Sequence, residues 1–305
     1  MPNRVEVIIN AASGLGCSDE MRASIAEAFS SNGLEANFRF AKNGAETERF
    51  AKEAAASDAE TIIAGGGDGT ISGVAYHVHK AGKTLGVLPL GTLNNFSKDL
   101  GIPQDLTDAV RIIADGSVET IDLAEVNGRV FINNSSIGLY PRIVRRREQQ
   151  QRLGYGKWRA AFWAALRMFR LSPFLKVRIE LDGKSFLRKT PFVFVGNNAY
   201  EMDLYNIGRR PSLAEGKLSV YFLHRSGHLG VILLLWHTVT GRVKQWRDFE
   251  EVLTDSVTIQ TRRKRLPIAF DGEISVMPTP LEFRIRPKAL KVFVPSSDEL
   301  TRESS

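Results

Sequence analysis

Over the first ninety residues the sequence alternates between two periodicities, and this constrains the fold most. VEVII (Val5 to Ile9) is a short continuous apolar run, as a buried strand requires. Met21, Ile25 and Phe29 then recur at helical spacing, and Gly33 supplies a stop. ANFRFA, TIIA and LGVLPL predict three more strands. Helical patterns fall near Glu46 to Ala56 and at Ile71, Val74, Ala75 and Val78, the latter closed by Gly82. Strand and helix in alternation predict a parallel sheet covered by helices. In such sheets ligands bind beyond the carboxyl ends of the strands.

From about Leu123 the pattern changes. RVFINNSSIG, KVRIELDG, PFVFVGNN, KLSVYFL, SVTIQT and LEFRIR read as strands divided by turns. They predict a second, mostly antiparallel domain. ALKVFVPSS is one more apolar strand, free by its pattern to return to either domain. With 305 residues the chain has room for two domains.

The single cysteine, Cys17, cannot close an internal disulfide, which suits a reducing compartment. The first ten residues lack the apolar stretch and cleavage site of a signal peptide. Val231 to Trp236, an unbroken apolar run, is far short of the ~20 residues of a membrane-spanning helix. The net charge of +7 is unevenly spread. Between Arg142 and Lys189, 14 Lys/Arg stand against 3 Asp/Glu. A concentrated basic stretch points to an anionic surface as partner.

Two strand-to-helix junctions carry loop signals, NAASGLG (Asn10 to Gly16) and GGGDGT (Gly65 to Thr70). Glycine lets backbone N–H groups converge and lets a ligand approach the main chain. A following helix adds the positive end of its dipole. Such loops can cradle phosphate without a lysine. A Walker loop is excluded, because GKT at Gly82 to Thr84 would need a glycine at His77. A dinucleotide fingerprint starting at Gly14 and Gly16 fails at Asp19. By itself NAASGLG reads as a tight turn, whereas four glycines around Asp68 exceed what a turn needs.

LPLGTLNNFSKDLGIP (Leu88 to Pro103) offers Thr92, Asn94 and Asn95 as neutral hydrogen-bonding groups and Lys98 as a charge. Its position after the fourth strand predicts that it opens on the same sheet edge. Far downstream, AFDGEIS places Asp271 and Glu273 around Gly272. Carboxylates at i and i+2 on a strand point the same way, and one could serve as a general base. Asp-Gly is equally a hairpin turn signal.

Together INAASG, GGGDGT, PLGTLNNFSKDLGIP, Ile121–Asp122, FINNSSIG and FDGE resemble the diacylglycerol kinase catalytic family, with its sphingosine and ceramide kinase relatives. They occur in that family's order and span nearly the whole chain. GGDGT is shared with NAD kinases and phosphofructokinases; its combination with PLGTxN and a late DGE is more specific. The resemblance implies a Rossmann-like (phosphofructokinase-like) α/β domain, residues 1–123 plus 290–305, and a β-sandwich lipid-substrate domain, 124–289. ATP and lipid would meet between them. It implies ATP and Mg2+ as cofactors, with Asn10, Ala11, Ala12, Ser13, Gly14, Gly66, Gly67, Asp68, Gly69, Thr70, Ile71 and Ser72 along the phosphates. Thr92 and Asn94 would contact the nucleotide. Asp68 would act through magnesium with Asp122 in support, and Asp271 or Glu273 would be the base. An NAD kinase-like phosphotransferase and a non-catalytic lipid- or nucleotide-binding protein of the same fold are the alternatives.

The sequence departs from the family pattern in places. Asn95 stands where the family carries aspartate, Ser97 and Lys98 replace its alanine and arginine, and Ala11 replaces its proline. The family's structural magnesium loop, Asp-Gly-x-x-Asp, is Glu215–Gly216–Lys217–Leu218–Ser219 here, leaving Ser212, Glu215 and Lys217 as the implied ligands.

KWRAAFWAALRMFRL (Lys157 to Leu171) is amphipathic, with Trp158, Phe162, Ala165, Leu166 and Phe169 on one face and RRR at 145–147 nearby. It fits an anionic membrane surface. The expected setting is cytoplasmic, peripheral to the inner membrane surface. No nucleic-acid recognition motif accompanies the charge. Arg262 to Arg265 form a basic run just before FDGE, and His224 and His228 read as surface residues. A homodimer stays open.

Overall fold

The computed structural model describes residues 3–12, 18–138, 174–181, 183–201, 209–223 and 249–296. The implied phosphate ligands Ser13 and Gly14, the Lys157 to Leu171 segment, RRR at 145–147, Cys17, His224 and His228 lie outside them. The chain forms two compact units. The first is Met1–Leu123 with Ser212–Glu215 and Arg286–Ser305, and the second is Ala124–Pro211 with Gly216–Ile285.

In the first unit β1 (Asn3–Asn10), β2 (Leu34–Ala41), β3 (Thr61–Gly66) and β4 (Thr84–Pro89) form a parallel sheet in the order β2-β1-β3-β4. All six residues of β3 are buried, which is why it reads as an unbroken apolar run. The helices are α1 (Asp19–Ser31), α2 (Gly44–Ala55), α3 (Asp68–Ala81), α4 (Asn95–Asp99) and α5 (Leu106–Asp115). Side-chain caps start three of them: Ser18 accepts from the Met21 N–H, Asn43 from Glu46, and Asp105 from Thr107 and Asp108. Gly82, at φ 68°, ends α3 in the left-handed conformation that glycine adopts most readily. Ile25, Phe29, Ile71, Val74 and Val78 turn their apolar faces inward as the spacing predicts.

The last strand returns to this unit. LEFRIR and ALKVFV, two strands in the sequence pattern, are one strand, β16 (Leu281–Val294), whose Lys291 and Val292 pair in parallel with Thr84 and Leu85 of β4. Lys288 interrupts it at φ 50°. Asp122, on β5 (Ser117–Val126), is fully buried and its Oδ1 accepts from the Lys288 N–H at 2.8 Å, fastening that kink.

In the second unit, β7 (Asn134–Gly138), β10 (Phe192–Asn197), β11 (Leu218–Leu223), β12 (Phe249–Thr254), β14 (Arg265–Phe270) and β15 (Glu273–Pro278) form an antiparallel sheet, ordered β12-β11-β10-β7-β14-β15. A second layer pairs the start of β16 with β13 (Ser256–Thr261), β13 with β8 (Leu175–Leu181), and β8 with β9 (Lys184–Thr190). Val193, Val195, Val220, Phe222 and Ile268 of the first layer pack with Val177, Ile179, Val257, Ile259 and Phe283 of the second. This is a sandwich core made by alternation along each strand. The chain crosses between layers at Ile132 and Asn133, between β6 (Arg129–Phe131) and β7.

Candidate functional site

The first unit joins its loops at the carboxyl ends of β1, β3 and β4. Asn10 ends β1; its Nδ2 donates to Thr70 Oγ1 at 3.0 Å and its Oδ1 accepts from the Ala12 N–H at 3.1 Å. The Ala11 N–H is held by the Ala41 carbonyl. In GGGDGT, a Cβ on Gly66 would sit 2.7 Å from Thr70 Cβ, so that turn requires glycine. A Cβ on Gly91 would lie 2.3 Å from Gly67 Cα, so the loops that follow β3 and β4 touch backbone to backbone.

Asp68 ties these two loops. Its Oδ1 accepts from the Phe96 N–H at 2.9 Å and its Oδ2 from Asn95 at 3.3 Å, so the carboxylate caps the start of α4. Asn94, implied as a nucleotide contact, is buried at φ 51°. Its Oδ1 accepts from Gly91 N–H, and its Nδ2 donates to the Pro89 carbonyl and Gln104 Oε1. It shapes the loop from within. Ile71 is a core side chain whose N–H makes the first turn of α3 with the Gly67 carbonyl, and Ser72 is buried beside it. The N–H groups at the open end of α3 are therefore those of Asp68, Gly69 and Thr70. Thr92 is exposed in the neighbouring loop.

The second unit separates Asp271 from Glu273. The i, i+2 spacing predicts both on one face of a strand, but β14 ends at Phe270 and β15 begins at Glu273. Asp271 and Gly272 are the two central residues of a hairpin turn, at φ 47° and 85°. Asp271 turns inward and is 7% exposed. It accepts from the N–H groups of Ile132, Asn133 and Asn134 at 2.8, 2.8 and 3.1 Å, and its own N–H donates to the Asn134 carbonyl. Buried N–H groups where the chain changes layer need such acceptors. Glu273 instead points outward, its side chain 57% exposed and 3.6 Å from the Arg129 guanidinium, which lies over the Phe270 ring.

Arg210 carried no signal in the sequence, because its partners come from distant strands. It is buried and donates to the Ile132 carbonyl at 2.6 Å, the Asn197 carbonyl at 3.3 Å and Asn133 Oδ1 at 2.7 Å. The same crossing is thus held by a carboxylate on its N–H side and a guanidinium on its carbonyl side. Tyr200 adds a bond from its hydroxyl to the Asn133 carbonyl. Nearby, burial and then the hydrogen bond to Glu251 raise the Tyr221 phenol well above its usual range.

The residues implied as a resident magnesium site do not fit one. The Ser212 hydroxyl accepts from the Ala214 N–H, and Glu215 is exposed. The Lys217 ammonium pairs with Asp255 at 2.7 Å, and its carbonyl accepts from the Asn198 N–H. Ser219, where the family's second acid would stand, is fully buried and donates to the Asn198 carbonyl at 2.6 Å. One carboxylate and an ammonium are a poor donor set for a hard cation, and the described residues contain no cluster of three His, Cys, Asp or Glu that could hold a metal. The segment is closed by its own hydrogen bonds, so EDTA is expected to leave the thermal midpoint of the protein unchanged. A drop in the midpoint on chelation, reversed by added magnesium, would count against this.

Glycine-built loops at a parallel sheet edge, with an antiparallel sandwich downstream, define a two-unit α/β plus β class. Residues 4–126 match the diacylglycerol kinase catalytic domain family and residues 136–294 the YegS C-terminal NAD kinase beta sandwich-like domain family. The chain belongs to the YegS and diacylglycerol kinase family. A protein of Klebsiella pneumoniae (strain 342) named "Probable lipid kinase YegS-like" is 34% identical over 57% of this chain and 58% of its own length. One named "Diacylglycerol kinase" in Bacillus subtilis (strain 168) is 32% identical over 60% and 61%. The alignments thus span about three-fifths of these relatives. The crystal structure of a diacylglycerol kinase from Bacillus anthracis str. Sterne superposes with a TM-score of 0.69 at 20% identity. It covers 96% of this chain and 97% of that one, and shows the shared fold. Among the described residues no helix is long and apolar enough to cross a membrane.

Proposed function

We propose that this chain is a lipid kinase that transfers the γ-phosphoryl group of MgATP to a hydroxyl of diacylglycerol or a related lipid. The observation that carries the reading is the junction at the start of α3. There the backbones of Gly67 and Gly91 meet, Asn10 holds Thr70, and the N–H groups of Asp68, Gly69 and Thr70 begin the helix. N–H groups and a helix dipole offset phosphate charge without a lysine. Asp68 keeps these loops together, and lone pairs left on its carboxylate can meet the magnesium that arrives with ATP.

In the proposed reaction the acceptor oxygen attacks the γ-phosphorus and forms the new P–O bond. The bond to the bridging oxygen breaks, and its electron pair leaves with ADP. The hydroxyl proton passes to a carboxylate. We assign that role to Glu273, because Asp271 already accepts from three N–H groups and Glu273 is the carboxylate facing outward. The lipid would be met at a membrane surface, with the protein peripheral to it.

The test is γ-labelled ATP with purified protein and a panel of diacylglycerols, monoacylglycerols, long-chain bases and NAD. Label in a hydroxyl lipid is expected. Folded protein that labels no lipid overturns the reading, and label in NADP alone replaces it with the NAD kinase-like alternative.

A further inference from the structure

We propose that the outer face of β8 and β9 is a docking surface for an anionic lipid bilayer. As biology this rests on the lipid kinase reading, since the substrate of such an enzyme resides in a membrane. The face follows from the register. Lys176 lies opposite Lys189, Arg178 opposite Leu187, and Glu180 opposite Ser185; on the other side of β8, Gln260 lies opposite Arg178 and Thr258 opposite Glu180. Directly paired residues share a face. The alternate residues Val177 and Ile179 are fully buried in the sandwich core, so Lys176 and Arg178 point away from it.

This face is exposed at Lys176, Arg178, Leu187 and Lys189. Its cations gather at the end away from Glu180, where the exposed Arg262, Arg263 and Lys264 also follow the end of β13. Leu187 is 69% exposed, the most exposed large apolar side chain among the described residues. The Lys189 ammonium lies 5.4 Å from the Phe174 ring, just ahead of β8. The face thus sets one exposed leucine among lysines and an arginine. It fits the boundary of a bilayer, where basic groups meet anionic headgroups and an apolar tip enters the acyl region. Nucleic acid would reward the charge and the aromatic ring but not the bare leucine.

The experiment is flotation of the full chain with phosphatidylcholine vesicles, with and without phosphatidylglycerol, in the absence of ATP. Binding to the phosphatidylglycerol vesicles, weakened by salt, is expected. The variant Lys176→Glu/Arg178→Glu/Lys189→Glu should lower the partition coefficient by at least about 100-fold, the loss that removing three cations alone would give, and Leu187→Ser by less. Reversals at Lys42, Arg49 and Lys52, on and beside α2, should leave it within about twofold of the loss expected from net charge alone. If the reversal variant does not fold, Lys176→Gln/Arg178→Gln/Lys189→Gln is read in its place. Vesicle binding kept by a folded triple variant overturns the proposal. So does wild-type protein that ignores both vesicles, or that binds single-stranded RNA and not vesicles. Turnover of a short-chain diacylglycerol in detergent micelles should be the same in variant and wild type. Flotation needs no turnover, so a failed kinase reading and a failed docking face give separate signatures.

Discussion

Replacing Glu273 by glutamine is expected to lower kcat by about 10²- to 10⁴-fold, the range a positioned general base contributes, while leaving the thermal midpoint where it is. The structure argues both halves. Glu273 opens β15 with its carboxylate in solvent, and its neighbour Arg129 is itself half exposed. A screened pair of this kind contributes little to stability. Glutamine keeps the shape and removes the capacity to take a proton. The KM for ATP should change little, because the glycine loops proposed to hold its phosphates are built in the other unit. Full turnover in the glutamine variant would remove Glu273 from the reaction.

Replacing Asp271 by alanine is expected to act in the opposite order, on folding first. Three N–H groups, the buried ones of Ile132 and Asn133 and the part-buried one of Asn134, would lose their shared acceptor. Leaving buried donors unsatisfied costs about 1–3 kcal/mol each, and partial relaxation brings the sum to about 3–5 kcal/mol. For a unit of this size that lowers the midpoint by about 10 °C. Asparagine should recover part of the loss, because its single oxygen can still accept. A melt of Asp271→Ala that overlays the wild type would show that the layer crossing does not depend on this carboxylate. The two variants together distinguish a reacting group from a holding group two residues away.

Much of the fold was legible because it rests on local periodicity. The β/α alternation, the caps at Gly33 and Gly82, and the change to strands after Leu123 are all written in side-chain spacing. The glycine loops were legible for a related reason: steric need shows in the sequence as the absence of a side chain, as at Gly66 and Gly91. What stayed hidden depended on partners far along the chain. Asp271 and Glu273 are both carboxylates near a glycine, and their identity does not say which is turned inward. Arg210 is one arginine among many until Ile132, Asn133 and Asn197 surround it. Asn94 looked like a ligand because it is polar, yet its bonds close its own loop.

By itself the sequence determined an α/β unit followed by an antiparallel unit, the loops that open at the sheet edge, and a family whose motifs occur in order. Those are consequences of period, glycine placement and motif order, which survive without coordinates. Only the tertiary structure decided that Asp68 joins two loops, that Asp122 fastens the kink at Lys288, and that Lys217 with Asp255 and Ser219 with Asn198 close the segment where the family has a metal. Each is a hydrogen bond or ion pair between residues 21 to 166 positions apart, and no local pattern encodes which distant group will be there to receive it.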